Sequence, residues 1–132
     1  MPTAVQFSIA LDNAAGTLAK LCGLLKKAKI NIEAISVSDN TDCGWVRIVA
    51  SPSAKVRAVL HKAGYTVCAQ HVLVVHAADK PGELERLCHP LSKLAVNVEY
   101  VYGSVVSGVP GTLVFGVSDV ERAVKALGED AA

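Results

Sequence analysis

The residues best suited to chemistry in this chain are two glycines, two asparagines and the short bends around them. Asp12-Asn13-Ala14-Ala15-Gly16 is followed, fifteen residues after its glycine, by Asn31-Ile32. Ala78-Asp79-Lys80-Pro81-Gly82 is followed at the same interval by Asn97-Val98. A glycine removes the Cβ that would keep a ligand away from the backbone. A helix N-terminus just beyond it offers unsatisfied N–H groups and a partial positive charge, a seat for a carboxylate. A carboxamide carries two donors and an acceptor, so it can hold an ammonium and a carboxylate together. Asp79 can pair with an ammonium, whereas Asn13 at the matching place can only hydrogen-bond one. The pattern therefore predicts two cradles for a small zwitterion, either of unequal affinity or with only one of them working.

Other chemistries find little support. Ser8, His61, His71 and His89 show no spacing that builds a triad or a metal site, so no catalytic residue is assigned. The four cysteines, at 22, 43, 68 and 88, contain no C-x-x-C pair, which excludes a zinc cage or a redox motif. They read as small buried hydrophobes in a reducing compartment. No metal and no cofactor is implied. Thirteen basic against twelve acidic residues give a net charge of +1, too little to hold a nucleic-acid backbone or an anionic membrane. Six aromatics are few for base stacking. No apolar run reaches the length of a membrane span, and the N-terminus lacks a secretory pattern. The expectation is a cytoplasmic chain. Its 52% apolar and 19% charged residues suffice for a core.

What must position these bends is a duplicated unit. Residues 16–38 laid over residues 82–104 show nine identities in 23 positions without a gap. Each copy opens with an alternating strand (Phe7, Ile9 and Leu11 on one face of the first), and the bend follows. Leu18, Leu21, Cys22 and Leu25 then make a helical stripe, as do Leu84, Leu87, Cys88, Leu91 and Leu94. Asp12-Asn13 is the predicted start of the first helix, and Pro90 predicts a kinked or shortened helix in the second copy. A β-branched second strand, a hairpin at Asp39-Asn40, a third strand, a helix capped at Ser51 and ended by Gly64, and a fourth strand complete copy one. Ser118 and Asp119 are the candidate caps of the last helix.

The order β-α-β-β-α-β predicts an α+β chain of two ferredoxin-like modules, residues 1–70 and 71–132. Each has an antiparallel sheet with its helices on one face. The tail after Leu127 has no β-branched residue, so the second copy is expected to lack its C-terminal strand. Residues 65–78 contain no linker composition, and one strand runs from the first copy into the second.

The two bends and the two Asn-aliphatic pairs, in register, resemble the ACT domain family, whose pattern is a D/N-x-P-G turn before the first helix and an N-I at the second strand. Copy two matches it at Asp79-Lys80-Pro81-Gly82, whereas copy one has Ala15 where proline is usual. The resemblance covers nearly the whole chain as two tandem copies. It implies small regulatory modules that sense a free amino acid at an inter-module or dimer interface and signal through association. The implied ligand residues are Asn13, Gly16, Asn31, Ile32, Asp79, Pro81, Gly82, Asn97 and Val98. The implied ligand is a free amino acid, with Leu18, Ile32, Leu84 and Val98 as aliphatic walls. The implied partners are a second copy of the chain, as a homodimer, and a biosynthetic enzyme.

Blander readings attach to the same residues. Asn13 and Asp79 suit helix caps, Gly16 and Gly82 suit close helix–strand packing, and Asn31 and Asn97 follow helix ends where asparagine is a favoured turn residue. Glu33 and Glu99 read as solvated strand-face charges, Lys26, Lys27 and Lys29 as a wet helix face, and His76 as structural. The alternative to an amino-acid sensor is thus a structural or assembly module with degenerate ligand sites.

Overall fold

The computed structural model describes residues 3–12, 14–38, 43–106 and 109–128; Asn13, the hairpin at Asp39-Asn40 and the tail beyond Gly128 lie outside them. Among the described residues there are six strands and four helices: β1 (Thr3–Asp12), α1 (Thr17–Lys27), β2 (Ile32–Ser38), β3 (Cys43–Ala50), α2 (Ser53–Lys62), β4 (Val67–Ala77), α3 (Glu83–Lys93), β5 (Val98–Val106), β6 (Val109–Val117) and α4 (Val120–Leu127). They form two compact units. One is residues 5–70. The other is residues 71–132, with which Thr3 and Ala4 also group. The single strand β4 supplies its first residues to one unit and the rest to the other.

In the N-terminal unit the strand order is β2-β3-β1-β4. β1 and β2 both run antiparallel to β3, with Phe7 opposite Ile48, Ile9 opposite Val46 and Ile35 opposite Ile48. Alternate residues of a strand share a face. Phe7, Ile9 and Leu11 therefore meet Val46 and Ile48 in one layer, and Leu21 and Leu25 of α1 and Val56 and Leu60 of α2 cover it. Both helices thus lie on one face of the sheet.

The C-terminal unit repeats the layer with Leu73, Val75 and Ala77 of β4, Phe115 and Val117 of β6, Leu87 and Leu91 of α3, and Ala123 and Leu127 of α4. Its strand order is β4-β6-β5, and no strand follows α4 among the described residues. Among the described residues the second copy therefore has no counterpart of the final strand of the ferredoxin-like pattern.

Helix ends differ from the sequence expectation in instructive ways. The residue at the N-cap of α1 is Gly16, not Asp12 or Asn13, because Asp12 is still paired with Cys43 in the β1–β3 ladder. Ser51 does not cap α2; its hydroxyl donates to Glu33 Oε1 at 3.0 Å, and Pro52 holds the cap position. Glu33 is accordingly not merely a solvated charge. At α4, Asp119 caps as expected, its Oδ1 accepting from the Arg122 N–H at 3.0 Å. Ser118 is used elsewhere: its Oγ accepts from the Asn97 N–H at 2.9 Å. Despite Pro90, α3 has eleven residues, the same as α1, so it is not shortened. Buried Leu87 and Leu91 flank the proline and hold that turn to the core. The inward stripes are shorter than predicted, since Leu18, Leu84 and Leu94 are exposed. Each lies in an end turn or cap of its helix, beyond the reach of the core layer.

Three helices end alike. Gly64, Lys29 and Ala95 each take a positive φ, of 85°, 58° and 56°. After α1 the Lys29 N–H donates to Lys26 O and the Ile30 N–H to Leu25 O. After α3 the Ala95 N–H donates to Ser92 O and the Val96 N–H to Leu91 O. This is the Schellman closure, with a left-handed residue followed by an apolar one that returns to the core. The asparagines stand one residue beyond it.

Candidate functional site

Gly16 and Gly82 both stand at the N-cap in the left-handed region, with φ of 89° and 84°. A Cβ placed on either would meet nothing within 4 Å. Close helix–strand packing is therefore not why glycine is there; the left-handed backbone is. Each glycine ends a tight bend that leads a strand into a helix, and both glycines are exposed.

The residue after each glycine closes the bend, and the two copies do so differently. In the N-terminal unit the Thr17 hydroxyl donates to Asp12 O at 2.8 Å, with Ala14 O at 3.0 Å as a second acceptor. In the C-terminal unit Glu83 Oε2 accepts from the Ala78 N–H at 2.6 Å, and Glu83 Oε1 accepts from Arg86 Nε at 2.6 Å. The Glu83 side chain is only 7% exposed. Its hydrogen bonds from Arg86 and the Ala78 amide, with the positive charges of Arg86 and Lys80, hold its carboxyl down to about 2 against the opposing effect of burial. Neither Thr17 nor Glu83 belongs to the residue set the sequence singled out. The signal for the second was the Glu83–Arg86 spacing, three apart on a first helical turn.

Asn31 and Asn97 are exposed, and their carboxamides have no hydrogen-bond partner among the described residues. Each sits in an open groove. Cys22, Leu25 and Ile32 border the first; Cys88, Ser92 and Val98 border the second. Burial pushes the Cys88 thiol up from its ordinary range, which keeps it neutral there. Asp79 and Pro81 are exposed on their bend, and the Asp79 carboxylate has no partner among the described residues.

Within one unit the structure does not bring glycine and asparagine together. Gly16 precedes α1 and Asn31 follows it, and an eleven-residue helix is about 16 Å long. Gly82 and Asn97 stand in the same relation across α3. The fifteen-residue interval is a helix plus its closing turn, so it measures a separation rather than a contact.

Beside the Gly16 bend lies a cleft of about 230 Å³, walled by Leu11, Leu18, Val37 and Val46, with Asp12 and Thr17 at its edge. Leu18 is exposed because it faces this cleft instead of the closed core. Of the four aliphatic residues predicted to face ligand, Leu18 lies here, Ile32 and Val98 border the asparagine grooves, and Leu84 is 47% exposed on α3.

Two ferredoxin-like modules in tandem, each with a left-handed glycine before its first helix and a free carboxamide before its second strand, define the class. The family model for the ACT domain pair matches residues 2–130, and the chain belongs to that family. No curated protein matches it by sequence. Among solved structures, protein BT0572 from Bacteroides thetaiotaomicron superimposes with a TM-score of 0.89 at 27% identity, over 97% of this chain and 88% of that one. The ligand-free regulatory subunit of aspartate kinase from Thermus thermophilus gives a TM-score of 0.65 at 15% identity, over 98% and 93% of the two chains. Clostridium acetobutylicum aspartate kinase gives 0.58 at 16% identity; 98% of this chain matches 34% of that enzyme. The likeness to the two kinase chains is one of fold.

Proposed function

We propose that this protein is a non-catalytic regulator that binds a free amino acid between two copies of the chain and transmits occupancy through association. The observation that carries this reading is the separation of the two ligand-holding features by a whole helix. A bend and a carboxamide at opposite ends of one helix cannot grip a molecule a few ångströms long. A two-fold axis that sets two such helices side by side and antiparallel places the bend of one chain against the asparagine of the other. A ligand seated there bridges the chains, and its binding energy favours the dimer.

The chemistry is complementary at each point. The N-terminus of α1 has no acidic residue in its first turn and suits a carboxylate. The exposed Asp12 carboxylate at the edge of the cleft suits the ammonium. The apolar walls suit a small or branched aliphatic side chain. Family membership supports the regulatory role, and a biosynthetic enzyme is the kind of partner such a subunit serves. No helix among the described residues is long and apolar enough to cross a membrane, and the proposed place of action is the cytoplasm.

One observation favours the second reading, a structural module with degenerate sites: at the Gly82 bend the Ala78 N–H already donates to the chain's own Glu83 carboxylate. A thermal-shift screen against the twenty amino acids separates the two. A sensor gains melting temperature with one or a few of them, and ultracentrifugation then shows more dimer. A flat screen favours the structural module.

A further inference from the structure

We infer that the two glycine bends are unequal in kind: the bend of residues 78–82 is occupied by the chain's own Glu83 carboxylate, which leaves one amino-acid site per chain, at the cleft between Asp12, Thr17 and Leu18. This rests on the amino-acid-binding role proposed above. It also reverses the order suggested by the motif, in which the second copy is the closer match to the family.

Glu83 supplies what a ligand carboxylate would bring. It is an anion at the N-terminal end of α3, held by a main-chain N–H from Ala78 at 2.6 Å and neutralised by Arg86 at 2.6 Å. It is nearly excluded from solvent, so the position is filled. The first turn of α3 carries Glu85 as well, so this helix end holds two acidic residues where α1 holds none.

The N-terminal unit has none of these features. Thr17 stands where the second copy has Glu83, and its neutral hydroxyl closes the bend by donating to main-chain carbonyls. The first turn of α1 contains no acidic residue. Lys20 stands where the second copy has Arg86, and it makes no ion pair among the described residues. It lines a second, separate cleft of about 350 Å³, which shares Leu11, Asp12 and Thr17 with the one that Leu18 walls. The positive charge that Glu83 satisfies in the second copy is left for an incoming carboxylate in the first.

Calorimetric titration with each of the twenty amino acids tests this, read on whichever binds. The wild-type chain is expected to bind one molecule per chain. Glu83→Thr, which installs the residue of the first copy, is expected to raise the number to two. Thr17→Glu is expected to abolish binding, because it gives α1 an internal carboxylate within reach of Lys20. Glu83→Gln is the second variant should Glu83→Thr fail to fold; it keeps the length and removes the charge, and a second, weaker site is expected. Two molecules per wild-type chain overturn the inference and leave the sensor reading intact. One molecule per chain in both folded Glu83 variants, or full binding by Thr17→Glu, also overturns it. No binding of any amino acid by the wild type overturns the sensor reading and this inference together.

Discussion

Glu83 is the residue in which local chemistry is most concentrated. Its carboxyl is held at about 2, against 4.5 for a free glutamate side chain. A carboxylate depressed on folding contributes stability that is fully present above its unfolded value. That contribution fades as the pH falls from about 4.5 toward 2. Acid unfolding of the wild type is therefore expected to steepen across this window, and Glu83→Gln to flatten it. Equal acid sensitivity of the two proteins would contradict the stabilising role of the Glu83–Arg86 ion pair. Lys29 and Ala95 make a second prediction at this scale. Both hold a left-handed φ that costs a non-glycine residue ~1–2 kcal/mol. Glycine removes that strain but loses some ~0.5–1 kcal/mol of unfolded-chain entropy. Ala95→Gly is thus expected to stabilise the protein by about 0.5 kcal/mol in urea unfolding. Gly64→Ala, in the same geometry, is expected to destabilise it.

At the scale of elements, each helix divides into a part that holds the fold and a part that faces outward. Leu25 and Leu91 are buried in the two cores, and truncating either to alanine is expected to cost about 2–5 kcal/mol. Leu18 and Leu84, about two turns earlier, are exposed. Alanine at either is expected to cost under about 1 kcal/mol, since little apolar area returns to water. Thermal or urea unfolding of the four variants measures the contrast. Equal losses would mean that the end-turn leucines are core after all.

The same division shows what the sequence could and could not convey. Periodicity shows the strands and the helices, because a buried face leaves an alternation or a 3.6-residue stripe; the expectation of a missing final strand rests instead on the lack of β-branched residues after Leu127. It could not show where a stripe runs past the core, so Leu18, Leu84 and Leu94 read as buried. The start of α1 was misplaced because a capping side chain is visible in sequence and a left-handed glycine cap is not. The glycine and asparagine of each copy are legible by spacing, and the stripes at Leu18–Leu25 and Leu84–Leu94 already put a helix between them; what the spacing does not convey is that this helix holds the two too far apart for one ligand. Glu83 was missed because its role depends on the Ala78 amide, which only the folded bend brings to it.

At the scale of the whole molecule, the function proposed here is a property of two chains rather than one. Within each unit the bend that can hold a carboxylate and the carboxamide that completes the grip stand at opposite ends of one helix. Asn31→Ala and Asn97→Ala are expected to leave the melting temperature of the free protein nearly unchanged. Both carboxamides are exposed and unpartnered among the described residues. Together they are expected to abolish the ligand-induced shift.

Mixing two defective chains tests the shared site most directly. One carries Thr17→Glu, which spoils the bend, and the other carries Asn31→Ala and Asn97→Ala, which spoils the carboxamides. After unfolding and co-refolding in equal amounts, half the dimers are mixed and each holds one intact pairing. Calorimetry is then expected to recover about a quarter of the wild-type sites, although neither protein binds alone. A mixture as silent as its components would contradict a site built from two chains.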